Sequence, residues 1–430
     1  MICNNISVNE KGHLTFAGQD TTLLAERYGT PLYLLDEDRV RENCRTYVRS
    51  LSENFSDSLP LYASKALCFK KIYNIVADEG MGIDIVSSGE LYTAVKAGFP
   101  MERAYFHGNN KTPYDVAFAM EHGVGYFVCD NPSELKLIDN EAARRGIRQK
   151  ILLRLTPGID PHTHKAITTG NIDSKFGEAI ETGQAEDFVA AALLCKNIDV
   201  RGYHCHIGSQ IFNDGPFSAA AIKMLRFSAI IKRKYGFEAP ELNLGGGFGV
   251  RYIEQHPKID CAAEIKKLAV TIKNTCATLG LREPKILMEP GRSIVADAGM
   301  TLYTIGCVKE IPGFKNYVSV DGGMADNPRY ALYQAEYTAY IANRAAQRGN
   351  FVCTIAGCCC ESGDIIGENF VLPKPSPGDI LAVCTTGAYN YSMASNYNRL
   401  PRPPIVILRG GESYIGVKRE TFDDLIANDV

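Results

Sequence analysis

From Leu61 to Glu289 the chain alternates short strand-like runs with longer amphipathic ones, and few folds accept that pattern. The strand-like runs are Leu61–Ala66, Gly82–Val86, Ala104–Gly108, Tyr126–Cys129, Ile151–Thr156, Val200–Ile207, Glu241–Gly245 and Lys285–Glu289. Between them, apolar residues recur at helical spacing in Lys71–Glu79, Glu90–Ala97, Pro113–His122, Ser133–Arg145, Gln184–Leu194, Phe217–Tyr235 and Ala262–Leu279. Strand followed by helix implies a parallel sheet. Eight such units over about 250 residues predict a (β/α)8 TIM-type barrel, assigned to 37–297, with a doubly wound sheet as the alternative.

After Asp297 the long helical runs stop. Strand-like runs follow at Leu302–Lys309, Tyr317–Val320, Phe351–Ala356, Asp379–Val383, Pro404–Leu408 and Ser413–Val417, with turn residues such as Pro373–Gly378 between many of them. This predicts a mostly β, sandwich- or barrel-like domain over 298–430. Residues 1–36, with Leu14–Phe16 and Leu32–Leu35 as short candidate strands, are expected to join it.

Composition narrows the function. Lys+Arg 46 against Asp+Glu 49 is a net charge of −3, without long basic runs, so neither nucleic acid nor an anionic membrane is an expected partner. No stretch of about 18 strongly apolar residues occurs, and Met1–Gly18 lacks the apolar core of a signal peptide, so a cytoplasmic location is expected. Fourteen scattered cysteines then read as free thiols. Cys358-Cys359-Cys360 has no spaced partner pair of the kind that holds zinc, so it reads as buried or reactive thiols.

In a barrel of this kind the chemistry sits at the carboxyl ends of the strands. Lys65 falls at the end of the first, His204-Cys205-His206-Ile207-Gly208-Ser209 at the sixth, Gly245-Gly246-Gly247-Phe248-Gly249 after the seventh and Glu289-Pro290-Gly291-Arg292 at the eighth. A lysine on a barrel rim is by itself more often solvated than catalytic, and a glycine triplet is more often a turn. His204 and His206, two apart on a strand, would share a face and could bind zinc, yet no third ligand is evident, so no metal is expected. Together, the glycine-rich loop and arginine make a phosphate cup, and a lysine beside a phosphate-bearing carbonyl cofactor suggests pyridoxal 5'-phosphate.

With these motifs in order, the chain resembles the diaminopimelate decarboxylase family, of the alanine-racemase-like class of pyridoxal-phosphate enzymes, over nearly its whole length. The resemblance rests on Tyr62-Ala63-Ser64-Lys65-Ala66, Gly82-Ile83-Asp84, Ser88-Gly89-Glu90-Leu91, His107-Gly108-Asn109-Asn110-Lys111, Ser174-Lys175-Phe176-Gly177, His206-Ile207-Gly208-Ser209-Gln210, the glycine loop, Glu289–Arg292, Cys360-Glu361-Ser362-Gly363-Asp364 and Gly387-Ala388-Tyr389. It implies decarboxylation of meso-2,6-diaminopimelate to L-lysine and CO₂, the last step of lysine biosynthesis, by a homodimer with shared active sites. Lys65 would hold the cofactor covalently, with Asp84, His206 stacked on its ring, Ser209, Gly246, Gly247, Gly291, Arg292 and Tyr389 around it. Glu289 would pair with the pyridine nitrogen. Cys360, from the partner subunit, would supply or position the proton that replaces the carboxylate. Arg292, Arg329 and Tyr333 would address the distal carboxylate, Glu361 the distal ammonium, and Tyr389 the substrate and cofactor alike.

One departure stands out: the family places proline directly after the arginine at 329, whereas here the order is Pro328-Arg329-Tyr330. The alternative is a decarboxylase of the same fold acting on ornithine, arginine, carboxynorspermidine or a siderophore precursor, and Arg329 with Glu361 weighs against it. A silent regulator is opposed by Lys65, His206, Glu289 and Cys360 together, and a racemase by the Cys-Glu-Ser loop.

Overall fold

The computed structural model describes residues 1–159 and 173–430. The chain divides into two compact units, one of Met1–Glu42, Val250–Pro257 and Arg292–Val430, the other of Asn43–Gly249 and Lys258–Gly291.

The second unit is a closed barrel. Strands Ser58–Ala63, Gly82–Ile85, Ala104–Phe106, Tyr126–Cys129, Gln149–Thr156, Ile198–His204, Glu241–Asn243 and Lys285–Met288 pair in parallel in chain order. The last pairs back onto the first, with Ile286 opposite Ser58, and this closure excludes the doubly wound sheet. Leu61, Tyr105, Tyr126, Val128, Leu152 and Leu287 fill a core inside it, each worth about 1.5–3 kcal/mol on burial.

The helices around it start where the sequence offers caps. Ser87 accepts from the Glu90 N–H at the start of Ser88–Lys96, and Asn131 from the Glu134 N–H at the start of Pro132–Arg145. Thr112 and Asp115 cap each other around Pro113, opening Pro113–Glu121. Lys70–Asp78, Gln184–Leu194, Gly215–Tyr235 and Cys261–Leu279 complete the expected set, within two residues of the predicted bounds.

Two strand ends differ from expectation in a way that matters for the chemistry. The first strand stops at Ala63, and Ser64–Ala66 forms a 3₁₀ turn closed by the Leu67 N–H on the Ser64 carbonyl at 3.1 Å, so Lys65 stands on a turn beyond the strand. The sixth stops at His204, which leaves His206 in the following loop. Helix Glu37–Asn54 and strands Ala339–Ile341 and Ile365–Leu372 went unread in the sequence.

The other unit is mostly β. The long strand Gly299–Ile311 is its hub, pairing antiparallel with Lys315–Val320, Ile380–Cys384 and Leu32–Asp36. Leu32–Asp36 lies between it and Ile405–Arg409, so a strand from the start of the chain completes the sheet. Leu14–Phe16 pairs instead with Ile6–Val8 and Gln19–Asp20 in a small sheet of its own. Beneath these strands lie Leu14, Phe16, Leu32, Leu34, Met300, Leu302, Val406 and Leu408, each less than 2% exposed.

Candidate active site

Because all the barrel strands run in parallel, the residues that follow them form one ring at their carboxyl ends. Lys65 is exposed on its turn while its neighbours Ser64 and Ala66 are buried. Its cation acts on His206 and Asp84 across the ring.

Glu289 is the anchored acid. Its Oε1 accepts from Asn243 Nδ2 at 2.7 Å and lies 2.9 Å from His107 Nε2, while Oε2 is 3.2 Å from His204 Nε2. All four residues are buried. Burial alone would protonate the carboxyl, but His107 and His204 outweigh it and hold Glu289 well below the usual carboxylate range. Burial also takes His204 down to about 4, so at neutral pH its imidazole is uncharged and serves Glu289 as a donor. His206 is likewise kept neutral, by burial first and then by the Lys65 cation. Asp84 is pushed up by burial, and its buried Oδ1 has no hydrogen-bond partner among the described residues, with His107 Nε2 3.7 Å away.

The zinc pairing considered for His204 and His206 assumed that both lie on one strand. Among the described residues the set disposed like metal ligands is His107, His204 and Glu289, and His206 is not in it. Its Nδ1 instead accepts from the Gly246 N–H at 3.3 Å.

Two further motifs explain themselves here. Lys111 is buried, pairs with Glu134 at 2.7 Å and donates to the carbonyls of Gly108 and Val128, which fastens the loop that carries His107. Phe176 lies under the Arg154 guanidinium at 4.2 Å, and the Gly177 N–H binds Asp130 at 3.1 Å. Lysine, arginine and acid thus tie the ring together from outside.

The glycine loop is shaped for close approach. A Cβ on Gly246 would collide with the Glu289 carbonyl, and one on Gly247, at φ +130°, with the Gly208 carbonyl. A Cβ on Gly291 would sit 2.9 Å from that of Ala63. Three loops therefore interlock backbone to backbone at the ring, Ser209 among them. A phosphate needs such uncluttered amides, a pyridine nitrogen needs a fixed anion such as Glu289, and the orphan Asp84 Oδ1 offers a further acceptor. The residues fit pyridoxal phosphate.

Arg292, Arg329, Tyr333, Cys360, Glu361 and Tyr389 belong to the other unit. Arg329 is buried and opens a short helix, Arg329–Tyr333. Its Nη1 donates to the Tyr337 hydroxyl at 2.8 Å, which in turn donates to Asn390 Oδ1 at 3.2 Å. No carboxylate lies within ion-pair distance of Arg329 among the described residues. Tyr337 is thus one tyrosine it meets, while Tyr333 is half-buried at the end of the short helix. Tyr389, at φ +66°, holds a strained left-handed backbone with its ring 4.8 Å from the Arg292 guanidinium.

Cys360 and Glu361 are exposed, on a loop that is firmly held. Asp364 accepts from the N–H groups of Met324 at 2.6 Å and Cys359 at 2.7 Å, and Asn398 Oδ1 accepts from that of Cys360 at 2.9 Å. Burial and then the Asp364 charge push the Cys359 thiol up to about 12, so Cys359 stays protonated. The sequence reading assigned no part to Asn243, His107, Tyr252 or Tyr337, and weighed His204 only as a zinc ligand. Two of these were visible inside motifs, as His107-Gly108-Asn109 and His204-Cys205-His206.

The family described as pyridoxal-dependent decarboxylase, pyridoxal binding domain, matches residues 37–296. The chain is 45% identical to a diaminopimelate decarboxylase of Bacillus subtilis over 98% of its own length and 96% of that protein's. It is 46% identical to one of Bacillus methanolicus, covering 96% of each. The crystal structure of diaminopimelate decarboxylase from M. jannaschii in co-complex with L-lysine superposes with a TM-score of 0.91 at 35% identity, covering 100% of this chain and 98% of that one.

Proposed function

Since the chain belongs to the diaminopimelate decarboxylases, within the pyridoxal-dependent decarboxylases, we infer that it removes CO₂ from meso-2,6-diaminopimelate and forms L-lysine, the last step of lysine biosynthesis. The observation that carries the reading is the buried Glu289, kept anionic by His107, His204 and Asn243 at the carboxyl end of the barrel. Bound pyridoxal phosphate supplies the electron sink for the pair left behind as CO₂ departs.

The residues of the chain do the rest. Lys65 would hold the cofactor through Nζ and release it to the substrate amine. Glu289 would keep the ring nitrogen protonated, and the neutral His206 would stack against the ring without adding charge. Ser209, Gly246, Gly247, Gly291 and Arg292 would hold the phosphate, and Asp84 and Tyr389 would complete the cofactor's surroundings. No carboxylate among the described residues pairs with the buried Arg329 guanidinium, so Arg329 would take the distal carboxylate, together with Arg292, Tyr333 and Tyr389. Glu361 would take the distal ammonium and Cys360 would protonate the carbon that lost CO₂.

Cys360 and Glu361 are solvent-exposed yet anchored, which suits side chains presented to a second copy of the chain. On that ground we propose a homodimer with shared active sites. No described helix is long and apolar enough to cross a membrane, and the fourteen free thiols suit the reducing cytoplasm, where we place the enzyme.

The reading is tested by CO₂ release from the purified protein with pyridoxal phosphate, offering meso-diaminopimelate, ornithine, arginine and lysine in parallel and identifying the amine. Release from diaminopimelate with lysine formed is expected, whereas release from another amino acid alone would keep the cofactor and overturn the substrate. For the dimer, mixing inactive Lys65→Ala with inactive Cys360→Ala subunits should restore up to about a quarter of the activity. A random mixture is half heterodimer, and each heterodimer holds one intact site. Verified heterodimers without activity would refute shared sites.

A further inference from the structure

The segment Val250–Pro257 interrupts the alternating part of the chain and belongs by contact to the β-rich unit. It contributes Tyr252, which is 2% exposed. The Tyr252 hydroxyl accepts from Arg292 Nη1 at 2.9 Å. The Arg329 guanidinium lies 4.9 Å from the same ring's centroid. One phenol therefore touches both buried arginines, and both charges act on it: burial raises its pKa, yet Arg292 and then Arg329 outweigh burial and hold it below the ordinary phenol value.

Tyr252 is itself held from two directions. Thr338 Oγ1 donates to its carbonyl at 2.9 Å, and its ring meets the edge of Tyr337 at 5.6 Å and 84°. Tyr337 is the same residue whose hydroxyl binds Arg329. The two tyrosines so flank Arg329, and Tyr252 carries the contact on to Arg292. Two guanidinium groups that share one phenol repel one another, and an oxygen that accepts from one of them lowers that cost while fixing where its fork points.

We propose that Tyr252 is a positioning residue that sets the spacing and orientation of Arg292 and Arg329, and so selects substrates that carry a second carboxylate at the far end of the chain. The proposal rests on the reading of Arg329 as the partner of the distal carboxylate. Tyr252 itself need not touch the substrate. Its effect passes through the two arginines, which separates it from a catalytic group: its loss changes binding of the carboxylate end and leaves the bond-breaking step nearly as it was.

The test is a double-mutant cycle on the holoenzyme with Tyr252→Phe, Arg329→Gln and the pair, measuring KM and kcat for meso-diaminopimelate. Inhibition by pimelate, a seven-carbon dicarboxylate without amino groups, reports the carboxylate end alone. Tyr252→Phe removes one oxygen and keeps the ring against Tyr337, so folding is not at stake. Its KM and its pimelate inhibition constant should each rise about tenfold, the size of a lost charge-assisted hydrogen bond, with kcat within about threefold of the parent and cofactor absorbance unchanged. In the Arg329→Gln background the same change should add less than about twofold, because its target is gone. If Arg329→Gln raises KM but Tyr252→Phe does not, or the two effects simply multiply, the positioning role is refuted and the reading of Arg329 stands. If Arg329→Gln leaves KM unchanged, both fall. A collapse of kcat with lost cofactor absorbance in Tyr252→Phe would place Tyr252 in the cofactor site and overturn the proposal as well.

Discussion

Lys65→Ala is expected to abolish turnover, with kcat down by at least about 10⁴-fold, and to end covalent capture of pyridoxal phosphate. The amine stands on the 3₁₀ turn Ser64–Ala66, which is fixed by buried neighbours, and its charge acts on both His206 and Asp84. The residues proposed to hold ring and phosphate are unchanged in the variant, so the cofactor should still bind but wash out on dialysis. Reduction with borohydride followed by mass measurement separates the two: the parent protein should gain the mass of the reduced cofactor on the peptide containing Lys65, and the variant should not. Substantial retained activity would remove Lys65 from this role.

Glu289→Gln is expected to lower kcat by about 10²- to 10³-fold, or about 3–4 kcal/mol, the usual cost of deleting one preorganised electrostatic partner. The amide keeps the shape of the carboxylate and can still accept from Asn243, but in the proposed pairing it would no longer hold a proton on the ring nitrogen. The electron pair left by CO₂ then has a poorer sink. Cofactor affinity should change far less than kcat, because the glycine loop and the lysine are untouched, and equilibrium binding followed by absorbance checks this beside the kinetics. A kcat within about fivefold of the parent would show that the charge of Glu289 is not what the reaction uses.

The barrel was legible because its physics is local. Apolar residues at helical spacing, caps such as Thr112 with Asp115, and short apolar strands each specify an element from neighbouring residues, and eight of them in alternation admit few closures. Helix Glu37–Asn54 carried the same signal in weaker form: Val40, Cys44, Tyr47 and Leu51 make a buried stripe at spacings of four, three and four in an otherwise very polar run. Strand Ile365–Leu372 hid its alternation behind Gly367 and Asn369, the latter at φ +59°.

Candidate residues were legible where they stand in dense motifs, as with Lys65, His206 and Glu289. Their partners were not. Asn243 sits in an unremarkable Leu242-Asn243-Leu244, and nothing in its neighbours says that its amide reaches Glu289, 46 positions away. Tyr337 stands four residues beyond Tyr333, and its meeting with Arg329 depends on a helix that ends at Tyr333 and a chain that turns through Gln334 at φ +53°.

The sequence by itself determined the alternation of strand and helix, the barrel and the family, and it supplied most of the candidate site residues, since each depends on spacing along the chain or on short ordered motifs. Tertiary structure alone decided that Leu32–Asp36 lies between strands from the far end of the chain and that Tyr252 joins two arginines. It also decided that burial neutralises His204 while Glu289 stays charged. Those outcomes depend on which groups meet across tens or hundreds of residues and on how far water is excluded where they meet, and neither quantity is written in local order.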